Sequence, residues 1–137
     1  MGRRGIVRLL LDTHIWLWSL GETSRLAPRV ARALGAKDTE LWLSPISLWE
    51  LGTLVEKGRV ELPARLDAWI DGALRAAPMR EAPLTRQVVR ALHSITTPHR
   101  DPADRFLAAT AAALGLQLVT SDERLLVGRG YHVLPNR

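Results

Sequence analysis

Ile6-Val7-Arg8-Leu9-Leu10-Leu11-Asp12 decides how this chain folds. The run has the length of one strand and is almost continuously aliphatic, the pattern of a strand buried on both faces of a parallel sheet. It stops abruptly on a carboxylate. Working outward, residues 14–20 predict a short first helix. A clearer one begins at Pro28, with Leu26, Val30, Ala33 and Leu34 at helical spacing and Gly35 as its stop. Glu40 to Ser44 predicts a second strand. Ser44-Pro45 then supplies an N-cap followed by proline at the first helical position, opening a helix that runs to about Lys57 with Gly58 beyond it.

The alternation continues to the end of the chain. Leu66, Trp69, Ile70, Ala73 and Leu74 mark an amphipathic helix. Arg80 to Leu84 predicts a short strand, and Thr85 caps a helix holding Val88, Val89 and Leu92. Asp101-Pro102 opens a helix rich in small residues that ends at Gly115 and has to be buried against a sheet or another helix. Leu116 to Thr120 is a strand, a short helix follows Ser121, and residues 131–134 form a last, edge strand. Strands alternating with helices predict an α/β three-layer sandwich with a mostly parallel central sheet.

Length and composition agree. The 137 residues suit one domain with one core, so residues 1–137 are expected to form a single domain. A content of 47% hydrophobic and 24% charged residues argues against disorder or a fibrous repeat. The absence of cysteine removes disulfide scaffolds, thiolate zinc sites, iron–sulfur clusters and cysteine nucleophiles. Arg8 interrupts the first apolar run, so a secretory leader fits badly. The uncharged stretch from Phe106 to Ser121 falls short of the roughly 20 residues a spanning helix needs, and a cytoplasmic protein is expected.

The acidic residues carry the chemistry. Asp12 and Asp122 stand at or just past the carboxyl ends of strands, Glu50 lies early in the helix after the second strand, and Asp104 falls in the first turn of its own helix. In an open parallel sheet these positions share one edge, where ligands bind. Carboxylates gathered there repel one another unless a cation is present, so the cluster calls for a hard divalent ion such as magnesium or manganese. For Asp101, capping a helix is a sufficient role, and helix dipoles partly account for Asp104 and Asp122. They do not account for an acid ending a triple-Leu strand, or for Glu50 between Trp49 and Leu51. Thr13 and Thr120 stand beside these acids and suit hydrogen bonds to them.

With Asp12-Thr13-His14, Ser47-Leu48-Trp49-Glu50-Leu51, Arg100-Asp101-Pro102-Ala103-Asp104-Arg105 and Leu118-Val119-Thr120-Ser121-Asp122 in this order, the chain resembles the PIN-domain ribonucleases over about residues 6–134. More narrowly, it resembles the VapC toxins of bacterial toxin–antitoxin pairs. The resemblance implies a metal-dependent endoribonuclease with a catalytic and metal-binding quartet of Asp12, Glu50, Asp104 and Asp122, and Asp101 as an auxiliary acid. Magnesium or manganese would be held mainly by Asp12 and Asp104. It also implies an RNA substrate, a homodimer and a cognate antitoxin that lays an amphipathic segment near the cleft. Ala103 departs from relatives that often carry Phe between the two Asp residues.

Arg100, Arg105 and Arg124 flank the acids and suit phosphate contacts. His14, His93, His99 and His132 show no metal-ligand spacing and read as surface or packing residues, and the five tryptophans read as core or interface. Haloacid-dehalogenase chemistry wants a second Asp where His14 stands, and receiver domains need a late Lys that is missing beyond Lys57. An inactive RNA- or partner-binding module is the alternative from another class. Nineteen basic residues against fourteen acidic ones give a net charge of +5. Setting aside the five clustered acids leaves nine, so the remaining surface is nearer +10 and suits a phosphate polymer.

Overall fold

The computed structural model describes residues 5–98 and 101–137. Five strands form one sheet in the order β3-β2-β1-β4-β5, where β1 is Val7–Leu11, β2 Thr39–Leu43, β3 Arg80–Glu81, β4 Gln117–Thr120 and β5 His132–Pro135. Every pairing is parallel, with Leu9 opposite Leu41 and Gln117, and Leu11 opposite Val119. The central position of β1 explains its composition. Leu9, Leu10 and Leu11 are fully buried, and alternation along the strand sends Leu9 and Leu11 to one face and Leu10 to the other.

Two apolar cores therefore sandwich the sheet. On one face Leu9, Leu11 and Val119 pack with Ile15 and Trp16 of α1 (Thr13–Gly21), Val30 of α2 (Pro28–Gly35) and Leu51 of α3 (Pro45–Glu56), and with the apolar stripe of α4 (Leu66–Ala76). On the other, Leu10 and Leu118 pack with Leu107, Ala108 and Ala111 of α6 (Pro102–Leu114) and with Leu125 of α7 (Glu123–Leu126). The small side chains of α6 let it lie close to the sheet and to α5 (Arg86–Ala91). Among the described residues, no helix is long and apolar enough to cross a membrane.

Local signals act where the sequence placed them. The Ser44 hydroxyl accepts from Ile46 N–H at 3.0 Å, the Asp101 carboxylate from Ala103 N–H at 3.0 Å and the Asp122 carboxylate from Arg124 N–H at 2.9 Å. Gly115 ends α6 in the left-handed region at φ 67°, a conformation that costs other residues energy. Gly35 behaves differently: it is the last residue of α2, and the chain leaves the helix through extended Ala36.

Two strands differ from expectation. Double burial of β1 begins only at Leu9, because Val7 and Arg8 project beyond the packed layers and Arg8 pairs with Glu40 at 3.3 Å. β3 spans two residues where five were expected: Ala82 still donates to Leu43 O at 2.9 Å, but its partner β2 ends at Leu43, because Ser44 turns the chain to cap α3. Trp49 is 61% exposed on α3, the one tryptophan among five left largely in solvent.

The order of strands positions the site. From β1 the chain moves through α1 and α2 to β2, then through α3 and α4 to β3, with these helices on one face. It then returns through α5 and α6 to β4 with α6 on the opposite face. β1 and β4 are thus neighbours whose connections leave to opposite sides, and a crevice opens at their carboxyl ends. Asp12 follows the end of β1 directly, and Asp122 follows the end of β4 after Ser121.

Candidate active site

Asp12 continues the ladder between β1 and β4, donating its N–H to Val119 O at 3.0 Å, and then starts α1. It stands at the N-cap position, yet its side chain makes no capping hydrogen bond. Instead the carboxylate accepts from the Thr120 hydroxyl at 2.7 Å. That hydroxyl in turn accepts from Asp122 N–H at 3.0 Å, so one Thr at the end of β4 fixes both the Asp12 side chain and the Asp122 backbone. Helix capping alone does not explain Asp12, and burial with only 8% exposure makes its charge costly.

Glu50 is placed by a second relay. Thr13 lies on α1, and its hydroxyl donates to a Glu50 carboxylate oxygen and sits 3.0 Å from Ser47 Oγ. Thr13 carries one hydroxyl proton, so with that proton given to Glu50 the contact with Ser47 uses the Ser47 proton. Ser47 and Thr13 are both fully buried. Spacing i, i+3 on α3 puts Ser47 and Glu50 on one face, the signal in the sequence that ties Ser47 to the site. Replacing Thr13 with Val keeps the shape and removes the donor. We expect T13V to lower the turnover of the reaction proposed below by about tenfold to a hundredfold, with the loss read in kcat.

Asp104 is the centre of the cluster. It is 7% exposed in the first turn of α6, and its pKa is pushed up to about 8. Burial is the largest cause, followed by the charges of Asp12, Asp101, Glu50 and Asp122, so all four other acids lie close enough to act on it. Asp12 is pushed up to about 6, by burial first and also by Glu50, with the Thr120 hydrogen bond working the other way. The same field reaches Tyr131, whose phenol is raised by its own burial and by Asp104 and Asp122 while it donates to Leu125 O at 2.6 Å.

Carboxylate oxygens of Glu50, Asp101 and Asp104 all lie within 4.8 Å of one another. This donor set is hard, anionic and all-oxygen, and its central member resists ionising, as befits a site for a hard divalent cation. The acids differ in what else they hold. Asp101 both caps α6 and joins the converging oxygens, whereas Asp122 caps α7 and pairs with Arg124 at 3.4 Å. Asp12 stands beside the converging trio and not within it, held by Thr120.

The acids open into a cleft of about 1010 Å³ whose walls include residues from α1, α3 and the segment between α3 and α4. His14, Trp18, Arg25 and Arg59 line it, and none of them was singled out as a site residue in the sequence. His14 is an exposed surface residue, as expected, but on the cleft wall, where it lowers the Asp12 pKa. The helical form of residues 13–21 separates the two tryptophans of α1: Trp16 is buried edge-on against Trp69, and Trp18 faces the cleft. Arg124 lines the cleft as expected; Arg105 is exposed and is not among its lining residues. Arg100, expected at a phosphate, and His99 lie outside the described residues.

Known proteins are similar to this chain in sequence or in fold. Ribonuclease VapC22 of Mycobacterium tuberculosis is 34% identical over 118 residues, which cover 85% of this chain and 88% of that protein. The crystal structure of VapBC2 from Rickettsia felis, bound to a DNA fragment from its promoter, is similar with a TM-score of 0.71 and 16% identity, covering 94% of this chain and 98% of the matched one. VapBC-5 of M. tuberculosis, a member of the VapBC family of toxin–antitoxin systems, is similar with a TM-score of 0.52 and 22% identity, over 88% of this chain and 89% of that one. At such identities the two structures speak for the fold. The PIN domain family model matches residues 9–128, a span that contains every acid of the cleft. Fold, family match and relatives agree: the chain belongs to the PIN-domain family.

Proposed function

We propose that this protein is a metal-dependent endoribonuclease, the toxin of a toxin–antitoxin pair, and that Asp12, Glu50, Asp104 and Asp122, with Asp101, form its catalytic site. The observation that carries the reading is the convergence of Glu50, Asp101 and Asp104 oxygens at the crevice where β1 and β4 part, with Asp12 beside them. Similarity to a protein named a ribonuclease supports RNA as the substrate, and similarity to VapBC assemblies supports an antitoxin partner.

Asp104, Glu50 and Asp101 would hold magnesium or manganese. Such an ion supplies Lewis acidity toward the scissile phosphate and makes water a competent nucleophile near neutral pH. The residues do the positioning. Thr13, backed by Ser47, aims Glu50, and Thr120 fixes Asp12 beside the converging oxygens. Asp104 gives up its proton when positive charge arrives, since the repulsion that raises its pKa is then offset. Asp122, which also caps α7, would orient water or hold a second ion. The products carry 5′-phosphate and 3′-hydroxyl ends, and the RNA 2′-hydroxyl takes no part as nucleophile. An Arg from the antitoxin, lying among these carboxylates, would displace the metal and silence the enzyme. The toxin works on cytoplasmic RNA, as a homodimer.

The test is incubation of purified protein with single-stranded and structured RNA. Cleavage in magnesium or manganese and its arrest by EDTA are expected. Metal-dependent binding with no cleavage would overturn the enzyme reading in favour of a binding module.

A further inference from the structure

Among the described residues three arginines line the cleft, and their surroundings differ. Arg124 is paired with Asp122, one of the clustered acids, at 3.4 Å. Arg59 follows Gly58 in the segment after α3 and forms no ion pair among the described residues. Arg25 is held in a particular orientation: its guanidinium carbon lies 4.5 Å from the centroid of the Trp18 ring, and Trp18 in turn meets His14 with ring centroids 5.9 Å apart. A guanidinium over an indole face is attracted by the ring, and its plane is restricted.

The backbone beneath Arg25 is fixed as well. Asn136, near the chain's end, donates from its amide to Arg25 O at 3.0 Å and to Ser121 Oγ at 2.9 Å, and its amide oxygen accepts from Ala27 N–H at 2.6 Å. One side chain thus ties the Arg25 segment to the residue preceding Asp122. The present anionic partner of Arg25 is weak. Glu22 sits 3.4 Å away as an i, i+3 neighbour, and the two side chains are 62% and 56% exposed, a pair that water and salt screen heavily. From Thr23 to Lys37 the chain carries Arg25, Arg29, Arg32 and Lys37 and no acid, so beyond Glu22 this segment is basic.

We propose that Arg25 is a phosphate clamp: lying on the Trp18 ring beside the acidic cleft, it grips a backbone phosphate of the RNA next to the one being cleaved. This rests on the ribonuclease reading and adds to it the residue that sets how the strand enters. The fork of Arg matches two phosphate oxygens, and an orientation already fixed by Trp18 and Asn136 spares the ordering cost on binding. Phosphate takes the place of the Glu22 carboxylate on the guanidinium. The clamp holds the ground state and the transition state alike, so it acts on KM.

Steady-state cleavage of a labelled single-stranded RNA at several salt concentrations tests this with R25A, R25K and, as a control that removes one positive charge on α5, R90A. R25A is expected to raise KM about tenfold with kcat within about twofold, and to flatten the slope of log kcat/KM against log salt by about 0.7, the share of one single-strand phosphate. R25K keeps the charge and loses the stacked fork, so its KM should fall between wild type and R25A with the wild-type slope. R90A should stay within about twofold of wild type. The clamp is overturned if R25A matches R90A in KM and slope, if R25A loses kcat at constant KM, or if R25A leaves RNA cleavage intact and weakens only a protein partner. Failure of the wild type to cleave any RNA would instead sink the ribonuclease reading, and the clamp with it.

Discussion

Replacing Asp104 with Asn is expected to lower RNA cleavage on the order of a thousandfold while leaving a folded, more robust protein. The loss follows from position. Asp104 is the buried member of the converging trio, and the carboxamide keeps its volume while removing the charge that anchors a divalent ion. The robustness follows from the same burial. Asp104 is crowded by four other carboxylates, and an uncharged side chain there relieves repulsion that the ionised form has to bear. Cleavage assays with thermal melts on the same samples check both halves. A variant that lost activity because it unfolded would melt below wild type, and this one should melt above it at pH 8 without metal.

The second large effect is in pH. In the folded chain Asp104 keeps its proton up to about pH 8 and Asp12 up to about pH 6, whereas unfolded each loses it near 3.8. Between those values the folded state binds more protons than the unfolded one, so stability is lost as pH rises from about 4 through 8. The change amounts to a few kcal/mol, and the metal-free protein should melt roughly 10 °C lower at pH 8 than at pH 5.5. A divalent cation reverses the trend. It binds the ionised cluster, so magnesium or manganese should raise the melting temperature far more at pH 8 than at pH 5.5, with protons released on binding. Melting curves at the two pH values, with EDTA and with excess metal, measure this. A metal-free protein that grew more stable toward pH 8 would contradict the account of the cluster.

Much of the fold was legible because its signals are local. The triple Leu of β1 specified a central strand, Ser44-Pro45 and Asp101-Pro102 specified helix starts, and Gly115 specified a stop, each through the conformation or hydrogen bond of its own few residues. The acids were legible through topology, since strand ends and the following helix starts of a parallel sheet share one edge. What remained hidden depends on contacts across the chain. The Thr13 to Glu50 hydrogen bond joins α1 to α3, and residues flanking each acid gave no hint that the Thr of one motif serves the Glu of another. Local spacing gave Asp101 as a cap and the family resemblance added an auxiliary acid, but its convergence with Glu50 appears only when α3 lies beside α6. Arg25 was invisible for a similar reason. It sits in a short turn outside any periodic pattern, and the Asn136 that fixes its segment reaches the neighbouring Ala27 across 109 positions.

The charge distribution now has a spatial form. Acids from four elements gather in one cleft, Arg25, Arg59 and Arg124 line its walls, and Arg29 and Arg32 are exposed on α2. On the proposed reading, such a surface would draw a polyanion toward a cleft that would repel it without a bound cation.

The claim at the centre is that the acidic crevice cuts RNA through a bound divalent ion. The most direct measurement strips the protein with EDTA, restores magnesium or manganese stepwise in the presence of labelled RNA, and identifies the termini of any fragments. The account predicts no cleavage in EDTA, recovery that saturates with added metal, and fragments bearing 5′-phosphate and 3′-hydroxyl ends. Cleavage that persists in EDTA, or fragments ending in 2′,3′-cyclic phosphate, would contradict it.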